Sequence, residues 1–70
     1  MEEKIALAVE KYALSQKESV VFGHLMRGHN AREIAILESF TYETTRWYIK
    51  QIYQKTGINR QSLLMHLLTQ

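Results

Sequence analysis

Two reciprocal helix starts set what this chain can become. Ser15-Gln16-Lys17-Glu18 and Asn30-Ala31-Arg32-Glu33 each place a side-chain oxygen three residues before a glutamate. In that spacing the first residue caps an early amide of the helix, and the glutamate reaches back to the cap's own N–H. No proline interrupts the chain, and glycine stands only at positions 23, 28 and 57. The pattern predicts an all-α fold. Residues 2–12 set Ile5, Ala8, Val9 and Tyr12 at i, i+3, i+4, i+7, one apolar stripe on an otherwise charged helix. The first box opens a helix through Met26, with Val21, Phe22 and Leu25 facing the core, and Gly28 supplies the stop.

The second box opens a short helix carrying Ile34, Ala35 and Leu37, and a turn without glycine follows. Thr41 is placed to cap the next helix, Tyr42 to Thr56, which Gly57 ends. Along it, Thr45, Tyr48, Ile49, Ile52 and Thr56 fall on one side, and Glu43, Arg46, Trp47, Lys50 and Gln54 on the other. Val21, Phe22, Leu25, Ile34, Ala35, Ile49 and Ile52 are expected to share one core. A last helix, about Gln61 to Thr69, carries Leu63, Leu64, Met65, Leu67 and Leu68, more apolar surface than one inward stripe requires.

Seventy residues allow one domain, and a chain this small buries only about 60% of its unfolded surface. There is no cysteine, so no disulfide supplements the core, and a cytoplasmic location is expected. The expected division is an N-terminal amphipathic helix over residues 1–13, packed on a domain over residues 14–70. His24, His29 and His66 lack paired ligand spacing, so neither metal nor cofactor is expected. No apolar run approaches the ~20 residues needed to span a bilayer, and no membrane partner is expected. Nucleophile–base arrangements, glycine-rich phosphate loops and carboxylate pairs are missing from the sequence, so no enzyme is expected.

The formal charge is only +2, but it is unevenly spread: residues 1–18 sum to −1 and residues 27–60 to +3. Positive charge thus gathers around the helix–turn–helix segment from Asn30 to Lys55, a layout in which the second helix enters the DNA major groove. Arg46 and Lys50 lie one turn apart on its outer face, with reach to guanine edges or phosphates. Trp47, Gln51 and Gln54 complete the expected reading surface. Arg32, Thr41, Thr44, Lys55 and Arg60 are expected near phosphates, although the two threonines also serve as caps.

From Leu14 onward the chain resembles the LuxR/GerE-type helix-turn-helix domain of bacterial regulators. Leu14-Ser15 with Glu18 and Val21 is similar to that family's opening segment, and Gly28 followed by Glu33-Ile34-Ala35 to its next one. Thr41, Thr44, Arg46, Ile52, Lys55 and Gly57 match the reading helix, with Arg for Lys at position 46, and Arg60-Gln61-Ser62-Leu63 the lead into the final helix. The resemblance implies four helices, here with an additional one at the N-terminus. It also implies a major-groove reading helix and a last helix that pairs two copies on an inverted repeat of double-stranded DNA. Leu64, Leu67 and Leu68 are the expected dimer contacts. Met1 and the acidic first helix favour a stand-alone regulator over an excised domain. The alternative is an anti-activator that heterodimerises with a LuxR-type regulator instead of binding DNA. Four departures stand out: His24 and Glu38 at usual leucine positions, Thr45 for valine, and Tyr48 for histidine. Leu37 is expected to take over the packing role lost at Glu38.

Overall fold

The computed structural model describes residues 2–58 and 60, and among these every regular element is a helix. In chain order they are α1 (Glu2–Lys11), α2 (Gln16–Met26), α3 (Ala31–Glu38) and α4 (Tyr42–Thr56). The expected last helix, with Leu64, Leu67 and Leu68, lies outside the described residues.

Each expected cap forms. Ser15 accepts from the Glu18 amide at 3.2 Å while Glu18 accepts from the Ser15 amide at 2.8 Å, and Asn30 with Glu33 repeats the exchange at 2.9 Å in both directions. Thr41 accepts from the Thr44 amide at 3.0 Å, and Gly57, at φ 75°, closes α4 in the left-handed region where glycine is unstrained. Between α3 and α4 the chain turns sharply through Ser39, itself left-handed at φ 56°.

The core is built where α4 crosses α2 and α3. Val21, Phe22, Leu25, Met26, Ile34 and Ile52 are buried there, and Ile5, Ala8 and Leu14 extend the cluster under α1. Ile49, expected in the core, packs against it and is only partly buried, because Thr45 and Ile52 occupy the inward line of α4. Thr45 is fully buried, and its hydroxyl donates to the Thr41 carbonyl at 2.9 Å, so its polar group is satisfied.

Leu37 does not take the packing role expected of it, being 54% exposed. At 100° per residue the inward face of α3 is centred on Ile34, Ala35 and Glu38, and Leu37 points aside. Glu38 keeps the leucine's position but meets a polar partner: His24 Nε2–H donates to Glu38 Oε2 at 2.8 Å, joining α2 to α3. The two departures from the expected leucines therefore compensate each other. Nδ1 of His24 is buried with no hydrogen-bond partner among the described residues. Breaking half of such a pair strands the other half, whereas replacing both by apolar groups is often neutral or better. His24→Leu and Glu38→Leu are each expected to lose about 1–3 kcal/mol in urea unfolding, with the double variant recovering most of it. Additive losses would contradict this pairing.

Candidate nucleic-acid interface

Four of the expected contacts, Arg46, Trp47, Lys50 and Gln54, share the outer face of α4. Glu43, Arg46, Trp47, Lys50 and Gln54 are all exposed, opposite the buried line of Thr45 and Ile52. Beside this face runs an open groove of about 520 Å³ lined by Leu25 of α2, Ala31 of α3, and Glu43, Arg46, Trp47, Ile49, Lys50 and Tyr53 of α4. The apolar floor comes from α2 and α4, and the rim carries two cations and one anion. Tyr53 is partly buried in the groove wall, and burial pushes its phenol above the ordinary value, so the hydroxyl stays protonated.

Trp47 is 55% exposed and meets Tyr48 edge-on, with ring centroids 5.2 Å apart. Tyr48 in turn leans on Phe40 of the turn at 5.7 Å. A row of three rings thus runs from the interhelical turn to the outer face, holding an amphipathic indole where a partner would meet it.

Two of the basic side chains, Arg27 and Lys55, serve the fold. Arg27 pairs with Glu2 on α1, its guanidinium Nη2 donating at 2.5 Å. The guanidinium folds over Gly23, where a Cβ would come within 2.9 Å of its Nη1. Lys55 donates to Glu18 Oε1 at 2.6 Å and to the Ala13 carbonyl at 3.4 Å. Lys55 lies about 180° from Arg46 around α4 at 100° per residue. It therefore stands apart from Arg46 and Lys50, tying α4 to the start of α2. Arg46, Lys50 and Arg32 make no salt bridge among the described residues. Gln51 is half-buried at the margin of the face, and Thr41 and Thr44 are exposed at the start of α4, where the Thr41 hydroxyl donates to Thr44 Oγ1 at 2.8 Å. Arg60 is exposed beyond the end of α4.

The Lys55 partner sets a pH dependence. Burial pushes the Glu18 carboxyl up, but the Lys55 ammonium, the Ser15 amide and the Ser15 hydroxyl together outweigh it and hold the group below its ordinary value. A depressed folded-state value means that this carboxylate stabilises the fold fully above the unfolded value, about 4.3. That contribution is lost as pH falls through the folded value. In thermal melts Glu18→Gln is expected to be less stable than the parent at neutral pH, with the gap closing in acid. A gap that stays constant on acidification would contradict this assignment.

Tyr42, at the first position of α4, was missed in the sequence. Its ring lies 5.1 Å from the guanidinium carbon of Arg32 and 5.8 Å from that of Arg46. The i, i+4 spacing to Arg46 was available as a signal; the approach of Arg32 from α3 was not.

Comparison with protein-family models, with curated proteins and with solved structures returns no match to this chain.

Proposed function

We propose that this protein is a DNA-binding transcriptional regulator of the LuxR/GerE type that reads the major groove with the outer face of α4. The observation that carries the reading is the division of charge. Arg27 and Lys55 are spent on ion pairs within the fold, while Arg32, Arg46 and Lys50 stand around one exposed helix face without salt bridges among the described residues. Arg46 and Lys50 supply donors suited to guanine edges, and Trp47 an apolar surface suited to a thymine methyl or a sugar. Thr41 and Thr44 lie at a helix start, where backbone N–H groups favour a phosphate. Contacts of this kind are few for one module, so two copies on an inverted repeat are the expected working form. The leucine-rich segment over residues 61–69 is the proposed means of pairing.

Fluorescence anisotropy with a mixed-sequence duplex at two salt concentrations tests the proposal. Binding should weaken steeply as salt rises, because counterions released from the phosphates drive it. Absent or salt-insensitive binding would overturn it.

A second reading is supported by the apolar surface: besides Trp47, Ile36 on α3 is 79% exposed. An anti-activator would use these residues to hold a LuxR-type regulator. It predicts weak DNA binding beside a tight protein complex, which separates the two readings in one titration with and without that regulator.

A further inference from the structure

We infer that Tyr42 is a positioning residue that holds Arg32 and Arg46 ready for the nucleic acid, an inference that rests on the DNA reading above. Arg32 projects from the second position of α3 and Arg46 from the second turn of α4, so neither helix alone brings them together. One phenol ring does, with both guanidinium carbons within 5.8 Å of its centroid. Two like charges gathered at one ring repel. The electron-rich face of an aromatic ring offsets that repulsion by attracting each cation.

The consequence for binding is entropic. An unrestrained arginine samples many rotamers, and all but one are lost when it grips a base edge or phosphate. Side chains already resting on a ring lose fewer at that moment, so the same contacts yield tighter binding. Tyr42 itself is 41% exposed and contributes nothing to the core cluster, so the ring can be exchanged without dismantling the fold. Arg32 and Arg46 remain the groups that touch the partner; Tyr42 acts through them.

The chemistry separates ring from hydroxyl and from bulk. Phenylalanine keeps the aromatic face, while leucine keeps much of the volume and loses the face. The experiment measures anisotropy of a fluorescein-labelled mixed-sequence duplex with the parent, Tyr42→Phe and Tyr42→Leu, and repeats both substitutions in a background of Arg32→Ala and Arg46→Ala. Circular dichroism confirms that each variant is folded. Tyr42→Leu should bind about three- to tenfold more weakly than the parent, while Tyr42→Phe should stay within about twofold. With both arginines removed, Tyr42→Leu should change nothing further.

Three results would overturn the inference alone: a leucine variant that binds like the parent, a phenylalanine variant as weak as leucine, or a leucine effect of equal size without the arginines. A parent that binds no duplex at all would instead overturn the DNA reading and this inference with it.

Discussion

Phe22→Ala is expected to unfold the domain at ordinary temperature. Phe22 is completely buried and packs in the cluster that joins α2 to Ile34 of α3 and Ile52 of α4, where removal of the ring cannot be filled by collapse of one neighbour. Truncating a buried Phe costs about 3–5 kcal/mol, from lost transfer energy and the cavity left behind. The single core of a chain of 70 residues rarely supplies more than about 3–5 kcal/mol, so one substitution removes most of the margin. Far-UV circular dichroism on heating should show the parent melting cooperatively and the variant with little or no folded baseline. Ile36→Ala, on an exposed side chain of the same domain, should stay within about 0.5 kcal/mol of the parent. A Phe22→Ala protein that melts close to the parent would place the centre of the core elsewhere.

Removing the charges of α4 should have the largest effect on binding. Arg46→Ala and Lys50→Ala are each expected to weaken DNA binding by about 1–3 kcal/mol if the side chain meets a base edge, and to relax preference at one position of the site. The two lie one turn apart on the same face, so the double variant need not lose the sum of both. Arg32→Ala should act differently, weakening all sequences alike and flattening the salt dependence by about one unit of slope. Lys55→Ala provides the contrast. Its ammonium is committed to Glu18, so its removal should lower thermal stability and leave the salt slope of DNA binding in place. Anisotropy across a salt series checks all five variants. If loss of Arg46 and Lys50 changes nothing, the partner meets another surface or is not DNA.

Local features of the fold were legible in the sequence. Capping boxes, the Thr41 cap and the left-handed Gly57 are written within three or four residues, and the period of α4 separates Thr45 and Ile52 from Arg46, Trp47 and Lys50. Pairings across the chain were not. His24 and Glu38 each look like an isolated departure from an apolar position, and only the packing of both α2 and α3 against α4 brings them to 2.8 Å. Lys55 looked like one more cation near a reading helix, but Glu18 sits 37 residues away in sequence and 2.6 Å away in space. Leu37 has the hydrophobicity of a core residue but not the angle of one on α3. The role of Tyr42 is only half legible, because its second arginine arrives from a different helix. The expected dimer contacts Leu64, Leu67 and Leu68 lie beyond the described residues.

The central claim is that the outer face of α4 meets DNA, and an amide-resolved NMR titration of the full chain with a mixed-sequence duplex tests it most directly. Shifts are expected to concentrate at Ala31 and Arg32, at Thr41 to Thr44, and at Arg46, Trp47, Lys50 and Gln54, including the Trp47 indole N–H. Amides of α1 and of the buried line through Val21 and Phe22 should barely move. Shifts confined to α1, or to the apolar residues Ile36 and Leu37 with α4 silent, would contradict it.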